Sequence, residues 1–450
     1  MVKITFMGAG STAFVRNIIG DCMFRETLRN STVALYDIDA ERLKESETIL
    51  NVLNSSINEN RMKIECYCGV ENRKKALAGA NFVVNAIQVG GYEPSTVIDF
   101  EIPKKYGLKQ TIADTLGIGG IFRALRTIPV MLDFAHDMEE VAPDAIFLNY
   151  TNPMAMLTGA MLRGSSIQTV GLCHSVQSCA ASLLAALGYG KREDFIDKPY
   201  RYTTAGINHQ AWMLDLYDEN GVDIYPKLRA EARELVPKLR AAKEDKHTNI
   251  IRLEIMNKFG YYVTESSEHS AEYMPYWIKH NYPELIEEFN IPIDEYIRRC
   301  IDQIKTWKEQ YAKILTEPVL SHTATREYGS GIMEAVLTGK PFRFGGNVLN
   351  DNFITNLPAD AVVEVPCIAD SSGIHGDFHG KLPTQCAALN MTNINPQLLT
   401  IEAAFNRKRE TVYQAAMLDP HTSAELSIDD IIKMCDELFE AHGNMMPEFK

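Results

Sequence analysis

The chain has 450 residues, 46% of them hydrophobic and 23% charged, a balance that supplies a sizeable core, excludes long disordered stretches and leads us to expect two tightly fused lobes with no free linker. A formal net charge of −14, with no basic face to compensate, disfavours nucleic acid as a partner, because its phosphates would be repelled. No apolar run is long enough to cross a bilayer and no signal-peptide pattern precedes the first glycine turn, while nine scattered cysteines, an odd number, argue for reduced thiols; the expected compartment is the cytoplasm, with no membrane partner.

Residues 2–7 form a short apolar run that stops at Gly8, after which Phe14, Ile18 and Ile19 recur at helical spacing. This predicts a strand, a tight turn and a helix. Further strands are predicted at 33–36, ending at Asp37; at 82–87, ending at Gln88 and the Gly90-Gly91 pair; at 146–148; and at 169–172. Helical patterns separate them, which implies right-handed βαβ crossovers and a doubly wound, Rossmann-like parallel sheet over residues 1–200. Cys66 and Cys68 have one residue between them and no second pair, so they read as packed or exposed thiols rather than metal ligands. Beyond residue 200 the alternation is lost, and residues 201–450 read as an α+β second lobe for substrate, metal and assembly. The charged run at 228–247 reads as a solvated helix face. Near the end, Ile428, Ile431, Ile432, Cys435, Leu438 and Phe439 share one helical face, with Ser427 and Asp430 suited to its start and Gly443 to its stop.

In an open parallel sheet, ligands bind beyond the C-terminal ends of the strands. Gly8, Gly10, Ser11 and Thr12 lie at the first such end, where glycines permit the turn and helix N–H groups can meet a pyrophosphate. Asp37, at the next strand end, suits the adenosine ribose hydroxyls and favours NAD over NADP; the alternative is a structural turn, with Asp37 capping a helix. Gln88, Gly90 and Asn149 complete the expected cofactor site. Asn149 and Asn152 form either a simple turn with Pro153 or amides for sugar hydroxyls. Cys173 and His209 are each readable as ordinary core residues, or together as thiolate and imidazole ligands of a divalent transition metal with open positions for substrate oxygens.

Several motifs in this order bear a resemblance: GAGST from Gly8, IADTLGIGGIFRALRTIP from Ile112, LNYTNPM from Leu148, GLCHS from Gly171 and AGINH from Ala205. Together they resemble glycoside hydrolase family 4, whose fold is similar to that of lactate and malate dehydrogenases. YYVTESSEHSAEY from Tyr261, NVLND from Asn347 and AAMLDPHTSAEL from Ala415 resemble its α-galactosidase branch. The resemblance implies NAD and Mn²⁺ as cofactors, Cys173 and His209 as metal ligands and Asn152 on the substrate. It implies hydrolysis of small, melibiose-like α-galactosides by oxidation at C3, loss of the acidified C2 proton, elimination, water addition at C1 and return of the hydride, outside the usual two-carboxylate scheme. His174, next to the metal cysteine, is the general-acid candidate, with a hydrogen bond to phosphate or carboxylate as its plainer role. Tyr273, ahead of His269, is the candidate base. Asp114 and Arg123 are expected to line the pocket, or else to form a buried ion pair. A homodimer or homotetramer is also implied. The alternatives are an α-galacturonidase, a 6-phospho-α-glucosidase, or a dehydrogenase of the malate and lactate type.

Overall fold

The structure, a computed structural model, describes residues 1–242 and 248–450. Its frame is one twelve-stranded sheet. The first six strands are β1 (Lys3–Met7), β2 (Thr32–Asp37), β3 (Lys63–Cys68), β4 (Phe82–Asn85), β5 (Ile146–Asn149) and β6 (Thr169–Leu172). They lie parallel in the order β3-β2-β1-β4-β5-β6, the doubly wound arrangement expected. β4, β5 and β6 are buried along their whole length, as befits strands covered on both faces by crossover helices. Those helices include Thr12–Met23, Ala40–Asn58, Gly117–Val141 and Met154–Gly164.

The remaining strands are β7 (Arg201–Ile207), β8 (Gln210–Tyr217), β9 (Tyr262–Val263), β10 (Phe342–Leu349), β11 (Val362–Asp370) and β12 (Gly373–Gly376). β10 pairs antiparallel with β6, and the sheet continues through β11, β7, β8 and β9, with β12 on the far part of β11. The sheet therefore passes without a break from residues before 200 to residues after it. β3 is a strand that the apolar pattern did not predict. It is an edge strand of sequence KIECYC with no fully buried position, so no apolar run marks it. Cys66 on it is exposed and Cys68 partly so.

The charged run begins as the helix Tyr225–Ala241, which buries Tyr225, Leu228, Ala232 and Val236 and leaves its Lys and Arg residues on the other side; positions 243–247 of that run lie outside the described residues. The last long helix is Ile428–His442, and the Ser427 side chain accepts from the Asp430 N–H at its start. Ile431, Cys435, Leu438 and Phe439 are buried as expected, whereas Ile428 is exposed. No helix among the described residues is long and apolar enough to cross a membrane.

Candidate active site

The glycine turn joins β1 to the helix Thr12–Met23. Gly8 has φ +80°, and a Cβ there would lie 2.8 Å from the Ala86 carbonyl and the Ile87 nitrogen. Only glycine fits, because both the conformation and the space exclude a side chain. A Cβ on Gly10 would lie 2.9 Å from Asp37 Oδ2, and the Gly10 N–H donates to that oxygen at 2.6 Å. Asp37 Oδ1 accepts from Asp39 N at 3.0 Å, so each oxygen keeps lone-pair capacity for a ribose hydroxyl. The helix cap that Asp37 offered as an alternative belongs instead to Asp39, which receives the N–H groups of Glu41 and Arg42. Ser11 precedes the first helix without capping it through its side chain, and Thr12 begins it. The first-turn donors of a twelve-residue helix are thereby left for an anion. The turn, the uncapped helix end and Asp37 fit a dinucleotide.

The other expected cofactor residues differ among themselves. Gln88 is exposed and donates to Thr96 Oγ1 at 3.1 Å. Gly90 has φ +79°, and a Cβ there would collide with Ser95 Oγ. Asn149 is fully buried. Its amide donates to Thr151 O and Thr158 Oγ1, and its carbonyl accepts from Asn85 Nδ2 and Thr151 N. Asn149 shapes the loop that carries Asn152.

Three groups converge at the strand ends beyond the turn: Cys173 after β6, His209 between β7 and β8, and Glu265 after β9. Their ligand atoms all lie within 4.8 Å of one another. His209 Nε2 is 3.7 Å and Cys173 Sγ is 4.0 Å from Glu265 Oε2. The other imidazole nitrogen, Nδ1, is 3.1 Å from Thr115 Oγ1, which donates to Asp114 Oδ1 at 2.8 Å. This second contact orients the ring as metal-binding histidines require. Burial, helped by His269, pushes His209 down to about 4, so the ring is neutral and available at pH 7. Burial works to raise Glu265, but His209, His269 and the Ser266 N–H outweigh it and hold the carboxyl at about 2. Burial and the Glu265 charge push the Cys173 thiol well up. One thiol, one neutral imidazole and one carboxylate fit a divalent transition metal. Glu265 was not singled out from sequence, although it stands inside the YYVTESSEHSAEY motif.

Beside this cluster, Asp114 Oδ2 accepts from Asn152 Nδ2 at 3.2 Å. Asn152 Oδ1 is buried without a partner, an acceptor left for a sugar hydroxyl. Arg123 donates to Asn152 O at 3.1 Å and to the Tyr296 hydroxyl at 3.3 Å, with its guanidinium over the Tyr296 ring. Burial raises the Asp114 carboxyl, yet the Arg123 charge together with His269, His209 and the Thr115 hydroxyl outweighs it and leaves Asp114 below the usual range. Tyr296 carries no signal in the sequence, since 173 residues separate it from Arg123.

His269 meets His209 edge to face at 4.5 Å. Its Nδ1 is 2.9 Å from Ser266 Oγ and its Nε2 is 3.9 Å from Asp114 Oδ1. Tyr273 is buried, and its hydroxyl donates to Asn208 O at 3.1 Å; burial, then the Asp114 charge, raise that hydroxyl well above the ordinary phenol range. His174 stands apart in exposure: 69% of its side chain is accessible, and Nδ1 is 3.9 Å from Glu327 Oε1.

The profile described as Family 4 glycosyl hydrolase matches residues 3–189, and that of the family's C-terminal domain matches residues 204–422. An alpha-galactosidase of Bacillus subtilis (strain 168) is 58% identical over 450 residues, covering 100% of both chains. A crystal structure of a 6-phospho-alpha-glucosidase from gut microorganisms, in complex with NAD and Mn²⁺, is 20% identical, covers 100% of both chains and has a TM-score of 0.80. Malate dehydrogenase from Plasmodium falciparum is 13% identical and covers 92% of this chain and 100% of its own, with a TM-score of 0.51, so the fold is related to that of the dehydrogenases. With both profiles matched in order and a relative of 58% identity along its whole length, the chain belongs to glycosyl hydrolase family 4.

Proposed function

We propose that the chain is an α-galactosidase that hydrolyses small, melibiose-like α-galactosides with NAD and a divalent cation such as Mn²⁺. The observation that carries the reading is the Cys173, His209 and Glu265 cluster set beside the Asp114 and Asn152 acceptors. The identity of 58% to an alpha-galactosidase supports the sugar, and the NAD and Mn²⁺ of a structural relative support the cofactors. Gly8, Gly10, Asp37 and the first turn from Thr12 would hold the dinucleotide; Cys173, His209 and Glu265 would hold the cation. When bound, these groups supply reversible hydride removal at C3 and polarisation of the C2 and C3 oxygens.

The chain's own residues do the rest. Asn152 and Asp114 bind sugar hydroxyls, and Arg123 fixes Asn152 through its carbonyl. His269 takes the C2 proton: its Nε2 has no hydrogen bond, whereas the Tyr273 hydroxyl is already committed to Asn208 O. His174, exposed at the mouth, gives a proton to the leaving oxygen before water adds at C1. The expected compartment is the cytoplasm and the expected assembly a homodimer or homotetramer; the assembly has support in the helix Glu295–Thr316, which leaves Ile301, Ile304 and Leu315 exposed on one side.

The test is release of nitrophenol from p-nitrophenyl α-galactoside with NAD⁺, Mn²⁺ and a thiol reductant, omitting each in turn. Hydrolysis that needs all three, without net NADH, is expected. NADH accumulating in step with product would identify a dehydrogenase instead, and absence of hydrolysis would move the substrate to a uronide or a phosphosugar.

A further inference from the structure

Behind the cluster, one row of residues crosses four strands. Gly171 on β6 lies opposite Asn347 on β10, Asn347 opposite Glu364 on β11, and Glu364 opposite Gly206 on β7. Cys173 follows Gly171 by two positions, and His209 follows Gly206 by three. Glu364 is 1% exposed, Asn208 1% and Asn347 0%. Glu364 Oε1 accepts from Asn208 Nδ2 at 3.3 Å and from Asn347 Nδ2 at 3.2 Å, while Asn347 Nδ2 also donates to Gly171 O at 3.2 Å. His209 itself has φ +63°, a conformation that a non-glycine residue holds only where its surroundings enforce it.

A carboxyl group buried this deeply is costly unless something requires it. Hydrophobic packing would hold the sheet as well, and three oxygens of the group, Glu364 Oε2, Asn208 Oδ1 and Asn347 Oδ1, have no hydrogen-bond partner. What the arrangement does achieve is a tie between two chain segments far apart in sequence. One end of the tie is the Gly171 carbonyl ahead of Cys173, the other is the Asn208 amide next to His209.

We infer that Glu364 is a positioning residue, which through Asn347 and Asn208 holds the Cys173 and His209 loops at the separation a shared cation needs. The inference rests on the metal reading proposed above. Outer-shell partners of this kind are worth about 10–100-fold in metal affinity, and the tie acts without touching substrate or dinucleotide.

The experiment is titration of the full-length apoprotein with Co²⁺, followed by the thiolate-to-cobalt charge-transfer band, with NAD affinity and the melting temperature measured alongside. Glu364→Met is expected to weaken Co²⁺ binding by about 10–100-fold with NAD affinity unchanged, and Glu364→Gln, which keeps an acceptor at the same place, to restore it to near the parent value. Asn208→Ala releases only the His209 arm and is expected to weaken Co²⁺ binding in the same direction, which keeps the idea testable if Glu364→Met does not fold. Parent-like Co²⁺ affinity in Asn208→Ala, or in folded Glu364→Met, overturns the inference. If the parent protein gives no charge-transfer band, or Cys173→Ser gives the same band, the metal reading fails and takes the inference with it.

Discussion

His174, the proposed general acid, stands on the solvent side of the site, 3.9 Å from Glu327 Oε1. Protonation matters in proportion to how poor the leaving group is. We expect His174→Gln to lower kcat/KM on melibiose by about 10²-fold or more, within the range of general acid catalysis, while p-nitrophenyl α-galactoside, whose phenolate leaves unaided, loses much less. Equal losses on both would show that His174 binds rather than protonates. A second expectation concerns the three groups proposed to hold the cation. At neutral pH His209, at about 4, is already neutral and Glu265, at about 2, already ionised, so neither releases a proton when a cation enters. The Cys173 thiol, raised by burial, does. Metal affinity should therefore rise with pH, by about tenfold per unit between roughly pH 6 and 8, and Co²⁺ or Mn²⁺ titrations at several pH values would check the slope; an affinity independent of pH would remove the thiol from the ligand set. Cys173 and His209 were picked out through their motifs, GLCHS and AGINH, and the fold brings the two side chains together. Glu265 was not, since a glutamate has many roles and only the fold brings it 3.7 Å from His209.

At the scale of elements, the loop at 110–116 is held against the start of the helix Gly117–Val141 by two glycines. A Cβ on Gly119 would lie 2.6 Å from Ala113 O, and one on Gly120 would lie 2.7 Å from the Thr115 carbonyl carbon. Backbone atoms cannot yield as a side-chain tip can, so the loop bearing Asp114 and Thr115 must move. Gly120→Ala is expected to raise KM for galactosides at least tenfold, about 1.4 kcal/mol, with NAD affinity little changed, because the glycine turn at Gly8 is elsewhere. Steady-state kinetics and NAD titration would check it, and an unchanged KM would show that the loop absorbs the methyl. The IADTLGIGGIF motif displays those glycines in the sequence, yet their purpose is a packing distance that no spacing rule states. Strands fared by the same logic. β1, β4, β5 and β6 were legible because burial on both faces demands continuous apolar runs. β3 was hidden because an edge strand needs none, and the place of β10 beside β6 depends on pairing across more than 170 positions.

That pairing determines how the whole molecule holds together. β10, from residues 342–349, covers the edge of β6, and the helix Thr384–Asn406 packs on the helices Gly117–Val141 and Met154–Gly164. The approach is close enough that a Cβ on Gly159 would lie 2.7 Å from Ile401 Cδ1. Residues 1–200 contain every strand of the parallel sheet and the full dinucleotide turn, and so resemble a unit that stands alone. Cut from the rest, they would present an unpaired β6 edge, buried along its length in the full chain, and an uncovered helical face, both of which promote association with other chains. We expect a fragment of residues 1–200 to be insoluble or to lack a cooperative thermal transition. Coexpression with residues 201–450 should recover a soluble complex that binds NAD, because the missing strand and helix are then supplied in trans. Sedimentation and calorimetry of the fragment alone would decide: a soluble monomer that melts cooperatively and binds NAD like the full chain would mean that the β6 edge and the helical face tolerate water, and that the second lobe adds His209 and Glu265 to the cluster at Cys173 without holding the first one folded.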